Sequence, residues 1–240
     1  MKNNLLNINN LLMNYSISII LPVLNEINSL KKTLTILNKI KLNKEFIIIY
    51  SEKLTSKFVK QEINKLKIKY KNLNLYKQIR PYVGGAIDLG ISKSKKSHIV
   101  IMASDMETNP NELKKMTNIS VKNINSIISA DRWITKKGFD NYGIVKFFAN
   151  FIFQKLLKIL FDYNILDFTF AYRIYPKKAL KGYRIKELRH GFALEILLTP
   201  MRRGFDVVTV PVKWQKRVEG NSSITLKSYL SYMKVLLRSL

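Results

Sequence analysis

Three short stretches hold side chains whose types and spacing could do chemistry. They are Pro22-Val-Leu-Asn25-Glu26, Ala103-Ser104-Asp105-Met106-Glu107 and Arg217-Val-Glu-Gly220-Asn-Ser222. In the second, an acid just past an apolar run is followed two residues later by another. Such a pair can hold a hard divalent cation, which would neutralise a diphosphate and assist its departure. The competing reading is a helix cap, because Asn109-Pro110 follows. In the first stretch Asn25 reads as a helix N-cap, with Glu26 near the positive end of that helix. In the third, Arg217 offers a fork of donors for phosphate, Gly220 allows close backbone approach and Ser222 adds a hydroxyl. The alternative there is a solvated basic loop.

Four further positions stand out. Arg132 directly follows an apolar run. Gly84-Gly85 relaxes a helix start, and Asp167 precedes a strand-like segment as a local cap or a site residue. Glu195 lies among apolar residues, so it is either a site carboxylate or an exposed helix position.

The elements that position these residues follow from periodicity. Apolar, β-branched runs at 16–23, 46–50, 73–76, 97–103 and 124–130 read as strands. Helical spacing spans 25–40, 56–70, 84–94 and 110–121 between them. This alternation predicts an α/β fold with a mainly parallel sheet. In such sheets ligands bind at the carboxyl ends of the strands, where all three stretches fall. Beyond Asp131 the rhythm changes: a long amphipathic helix at 143–161, a strand at 168–175, a helix at 191–203, a strand at 205–212 and an amphipathic basic helix at 228–240.

Composition narrows the functions. Of 240 residues, 42 are Lys or Arg and 16 are Asp or Glu, a formal charge of +26, with 47% hydrophobic residues. That is enough apolar content for a folded core and enough charge for an anionic partner. There is no Cys, and there are only two His, which excludes disulfides, thiol nucleophiles and Cys-ligated zinc. Residues 1–14 lack the apolar core and cleavage site of a signal peptide. No apolar run is long enough to span a membrane. The expectation is a cytoplasmic chain, peripherally attached to the inner face of a membrane. Leu226, Tyr229, Leu230, Met233, Leu236 and Leu237 form an apolar stripe flanked by Lys227, Lys234 and Arg238. That stripe suits an anionic membrane surface or the chain's own core.

Taken in order, these motifs resemble the family 2 glycosyltransferases, closest to the polyprenyl (dolichol) phosphate mannose synthase branch. The matching blocks are SIILPVLNE, VGGAIDLG, HIVIMASDMETNP, SADRWITKKG, LDFTFAYRIYPKKAL, HGFALEILL and GFDVVTVPVKWQKRVEGNSS. The resemblance implies a GT-A, Rossmann-like domain over 1–225, followed by the amphipathic helix 226–240. It implies a nucleotide-sugar donor, a divalent metal (Mg2+ or Mn2+) and transfer to a polyprenyl phosphate in cell-envelope or polysaccharide synthesis.

By the same resemblance Pro22, Asn25 and Glu26 contact the nucleotide. Asp105 is the second acid of an Asp-X-Asp metal motif, and Glu107 is a further metal contact. Arg132 faces donor and acceptor phosphates, Lys146 lies near another basic position, and Arg217, Gly220 and Ser222 form a late Arg-X-X-Gly-X-Ser block. Gly85, Asp167 and Glu195 fall inside matching blocks as substrate-binding positions. Two departures are visible. Ala103 stands where the first metal acid belongs, and Tyr50-Ser51-Glu52 replaces a paired Asp, leaving Glu52 for the base or ribose.

A lipid phosphate is already an anionic nucleophile, so no strong base is needed. A glycan hydroxyl would need one, with Glu195 the sole candidate. Two rival classes remain at this point. A pseudo-enzyme would bind nucleotide without transfer. A nucleic-acid module would use the positive charge, but no helix-turn-helix, zinc-finger or RNA-binding signature is present, so nucleic acid is not expected as a partner.

Overall fold

The computed structural model describes residues 15–135, 139, 143–161, 163, 165–220 and 226–240. Seven strands form one sheet in the order β3-β2-β1-β4-β6-β5-β7. They are β1 (Ser16–Val23), β2 (Asn43–Tyr50), β3 (Leu73–Lys77), β4 (His98–Ile101), β5 (Ile127–Asp131), β6 (Arg173–Pro176) and β7 (Val207–Pro211). The α-helices are α1 (Ile27–Asn38), α2 (Lys57–Lys69), α3 (Tyr82–Lys93), α4 (Glu112–Lys122), α5 (Ile144–Phe161), α6 (Phe192–Arg202) and α7 (Leu226–Ser239). A short 3-10 turn covers Lys177–Leu180. The expected α/β architecture is present, and β6 alone runs antiparallel, between β4 and β5.

The central strands are apolar on both faces because both faces are covered. Ile17, Ile19 and Leu21 of β1 pack with Phe46 and Ile48 on one side of the sheet. Ile20 packs with Ile47, Ile49 and Ile99 on the other. Parallel register sets Ile19 opposite Phe46 and Val100. A third cluster joins α5, α6 and α7 through Leu157, Leu194, Leu197, Val235 and Leu236. The inner face of α7 is thus part of the domain's packing, while Tyr229, Leu230, Met233 and Leu237 point outward.

Two strands end earlier than their apolar runs. β4 stops at Ile101 because Ala103 N–H turns away to Thr108 Oγ1, at 3.1 Å. β6 begins only at Arg173, since 167–172 is bent around side-chain acceptors and donors. Asp167 Oδ1 accepts from Phe170 N, and Arg173 Nη2 donates to Phe168 O at 2.8 Å. Among the described residues, no helix is long and apolar enough to cross a membrane.

Candidate functional site

The carboxyl ends of β1 and β4 are bound together by one side chain. Ser104 Oγ lies 2.7 Å from Pro22 O and 2.8 Å from Glu26 Oε1, its one proton shared between these two acceptors. Glu26 also accepts from the backbone N–H groups of Leu24 and Asn25. Asn25 does not cap α1, contrary to expectation. Glu26 occupies the N-cap position and makes no cap bond. The Asn25 amide reaches sideways instead, donating to Leu54 O and accepting from Ser56 N, which pins the loop after β2. Glu52 rides on that loop, exposed and paired with Lys60 and Lys77, each at 3.1 Å. These two ammonium groups hold its carboxyl below the usual range.

The acidic stretch and the late Arg stretch meet. Arg217 Nη2 lies 2.8 Å from Glu107 Oε1 and 3.3 Å from Asp105 Oδ2, and its Nε donates to Glu107 at 2.9 Å. Two carboxylates therefore converge on one cationic group. Backbone contacts reinforce the meeting: Val218 N–H donates to Asp105 O. Glu219 accepts from Ser29 N–H and Asn28 Nδ2 in the first turn of α1, where a carboxylate suits the helix dipole. Gly220, at φ +82, takes a backbone conformation that side chains disfavour. Neither modest alternative survives here. Helix α4 starts at Glu112 behind Asn111, so Asp105 and Glu107 do not cap it. Arg217 is not a solvated side chain, being 21% exposed.

Burial pushes the Asp105 carboxyl up to about 6, Glu107 adds to the shift and Arg217 opposes it. The half-buried His190 is held below its ordinary value by burial first, then by the charges of Arg217 and Arg189. His190 therefore lies within the field of the same cation.

A second charged centre lies at the end of β5. Arg132 grips Asp167 with Nε at 2.6 Å and Nη2 at 2.9 Å, and Asp167 is fully buried. The guanidinium sits 4.4 Å from the Phe170 ring centre and 5.2 Å from that of Phe139. Gln154 of α5 donates to Thr169 Oγ1 at 2.9 Å and accepts from Phe168 N–H at 2.9 Å. Asp131, fully buried, accepts from Trp133 N–H and Leu166 N–H. Burial and then the neighbouring Asp167 push its carboxyl up to about 6. Asp167 is thus both the counter-ion of Arg132 and a local cap, accepting from Phe170 N–H.

The glycine pair and Glu195 form a third junction. Gly84 and Gly85 lie in the first turn of α3. A Cβ on Gly84 would meet Glu187 O at 2.7 Å, and one on Gly85 would meet Arg80 O at 2.3 Å. The pair therefore permits close backbone packing, not merely a relaxed helix start. Glu195 is 7% exposed, so the exposed-helix reading is corrected. It accepts from Lys186 N–H at 2.7 Å, Glu187 N–H at 2.6 Å and the Tyr183 hydroxyl. It stitches 183–187 to α6. Ser222 and the Lys146 side chain lie outside the described residues.

Sequence reasoning passed over Ser104, Asp131, Gln154, Glu219 and His190. Asp131 and Glu219 adjoin residues already singled out, and adjacency was the available signal. Gln154 carried none, because its partner Phe168 is 14 positions away.

Residues 18–184, well over half of the chain, match the model of "Glycosyl transferase family 2". Solved structures share the fold. A mycobacterial protein superposes with a TM-score of 0.73 at 15% identity, covering 97% of this chain and 77% of that one. Glucosyl-3-phosphoglycerate synthase from Mycobacterium tuberculosis, in complex with Mn2+, uridine diphosphate and phosphoglyceric acid, gives 0.70 at 16% identity, covering 97% and 82%. The same enzyme with Mn2+, UDP-glucose and glycerol 3-phosphate gives 0.70 at 13% identity, again covering 97% and 82%. At these identities the likeness concerns the fold, the GT-A α/β architecture of glycosyltransferases. With the family match over 18–184, the chain belongs to glycosyl transferase family 2.

Proposed function

We propose that the chain transfers a sugar from a nucleotide-diphosphate donor to an acceptor that already carries a phosphate, most favourably a polyprenyl phosphate. One observation carries this reading. The described carboxylates at the strand ends have committed partners: Glu26 and Asp131 to backbone N–H groups, Glu52 to Lys60 and Lys77, Asp105 and Glu107 to Arg217, Asp167 to Arg132, Glu195 to 183–187 and Glu219 to Asn28 and Ser29. A hydroxyl acceptor would need one of them released to take its proton, whereas a phosphate oxyanion needs no base. The structurally similar synthase is solved with phosphoglyceric acid and with glycerol 3-phosphate, both phosphorylated, which supports an acceptor that carries a phosphate.

A divalent cation fits the Asp105–Glu107 pair. The two carboxylates converge on one cationic atom, and such ions are held by one or two carboxylates plus substrate phosphates. When bound there, Mg2+ or Mn2+ would supply charge against the donor diphosphate. Arg217 would then turn from the carboxylates to the departing diphosphate or the acceptor phosphate. Pro22, Asn25 and Glu26 line the nucleotide end, with Glu52 toward the base or ribose. Arg132, fixed in place by Asp167, faces the phosphates, joined by Lys146, while Gly220 and Ser222 bring backbone and hydroxyl donors. Gly85 sets the first turn of α3 against Arg80, beside the donor site. The acceptor oxygen forms a bond to the anomeric carbon as that carbon's bond to the diphosphate breaks, and the nucleoside diphosphate leaves with the electron pair. Residues 1–225 serve as the body of the transferase domain and 226–240 as its amphipathic C-terminal helix, packed on α5 and α6 by its inner face, at the inner face of a membrane in envelope or polysaccharide synthesis.

The test is an acceptor panel with a fixed set of nucleotide sugars: a polyprenyl phosphate, glycerol 3-phosphate and a neutral glycan. Labelled product on a phosphorylated acceptor supports the reading. Product on the glycan alone would overturn it.

A further inference from the structure

Between the two acids of the candidate cation seat stands Met106, at φ +70. Among the described residues other than glycine, only Met106 and Tyr82 have a positive φ. A side chain disfavours this left-handed region, because its Cβ crowds the neighbouring carbonyl oxygen. A methionine stays there only where its surroundings enforce it.

Those surroundings are built from named contacts. Thr108 Oγ1 accepts from Ala103 N–H at 3.1 Å and donates to Ala103 O at 3.0 Å. Ser104 is tied to Pro22 O and Glu26. The loop 103–108 is therefore closed on itself and fixed to the end of β1. Inside it, Asp105 Oδ1 accepts from Glu107 N–H at 3.1 Å. The half-buried Met106 sends its side chain to α1, where Thr33 Oγ1 donates to its Sδ at 3.3 Å. Thr33 is fully buried. A thioether is a weak acceptor, but its long unbranched chain can reach such a donor. The acids on either side turn instead to Arg217, with Asp105 Oδ2 at 3.3 Å and Glu107 Oε1 at 2.8 Å from its Nη2. A glycine would take the same backbone without strain, yet it would have nothing to anchor on α1.

We infer that Met106 is a positioning residue for the divalent cation. Its left-handed backbone brings the Asp105 and Glu107 carboxylates to one point, and its thioether, moored on Thr33, keeps that backbone from relaxing. Met106 itself touches neither cation nor substrate. This rests on the reading that the acid pair takes Mg2+ or Mn2+, and it supplies what makes the pair converge.

The experiment is Mn2+ titration of the full chain, read by electron paramagnetic resonance without donor or acceptor. The parents are wild type and Arg217→Ala, which removes the internal cation from the pair. On the Arg217→Ala background, Met106→Gly, Met106→Ala and Met106→Val all lose the thioether and differ in their tolerance of positive φ. Affinity should fall in that order, with Gly within about threefold of the parent and Val at least about tenfold weaker. Thr33→Val keeps the shape, removes the hydroxyl and should weaken Mn2+ binding by about two- to threefold. Far-UV circular dichroism checks that each variant is folded, and a merely structural role would leave the affinity of the folded variants unchanged. Should Val not fold, the expected gap of about threefold between Gly and Ala carries the test. Equal affinity across the Met106 series overturns the inference, whether all match the parent or all fall alike. No Mn2+ binding by either parent overturns the cation reading, and this inference with it. Binding by the parents that the series leaves unchanged overturns this inference alone.

Discussion

Asp105 is held ionised at a cost to the fold, and this can be measured. Its carboxyl titrates at about 6 in the folded chain against 3.8 for the free group, chiefly because it is buried. A carboxyl raised in this way favours folding at low pH. That contribution is complete below the unfolded value and is lost as pH rises through the folded one. Between about pH 5 and about pH 8 the wild type should lose about 1.4 kcal/mol from this group alone. Asp105→Asn has no carboxyl to ionise, yet its amide oxygen can still accept from Glu107 N–H, as Asp105 Oδ1 does now at 3.1 Å. The variant's stability relative to wild type should therefore climb by that amount across the window. Urea unfolding of both proteins at the two pH values measures the difference, and the remaining titrations cancel in the comparison. A relative stability that is flat, or that falls with pH, would refute the reasoning. The same variant should lose transfer, the usual trade between a site residue and stability.

Other perturbations probe the remaining contacts. Asp167→Ala leaves the Arg132 guanidinium buried without its carboxylate and should cost about 3–5 kcal/mol in urea unfolding. Gly85→Ala places a methyl 2.3 Å from Arg80 O, so it should destabilise by about 1–3 kcal/mol and lower the melting temperature. Arg217→Ala frees Asp105 and Glu107 from their present cation, so Mn2+ binding without donor should tighten by roughly tenfold in titrations read by electron paramagnetic resonance. Its transfer rate should nonetheless fall.

The fold was legible where burial is two-sided or the period clean. β1 was read at 16–23 and is observed at Ser16–Val23, because an apolar run covered on both faces leaves little choice of structure. β4 ends and β6 begins away from the limits of their apolar runs for one reason. Thr108 and Arg173 draw the backbone out of the ladder through side-chain bonds that hydrophobicity does not encode. Within the candidate site, residue types near the strand ends were readable, but their pairings were not. Asp167 meets Arg132 across 35 positions and Arg217 meets Glu107 across 110, and no local pattern records such distances. Glu195 shows the limit from the other side. An acid among apolar residues reads as exposed or as a site carboxylate, and the structure shows it buried, accepting from two backbone N–H groups.

The most direct test of the central claim is release of nucleoside diphosphate from a panel of nucleotide sugars. It would be followed with and without polyprenyl phosphate, with Mg2+ or Mn2+ or with chelator, for wild type and Asp105→Ala. The account predicts release from one donor that requires the phosphorylated acceptor and the metal and that disappears in the variant. Nucleotide binding without acceptor-dependent release from any donor, or release unchanged by chelator and by Asp105→Ala, would contradict it.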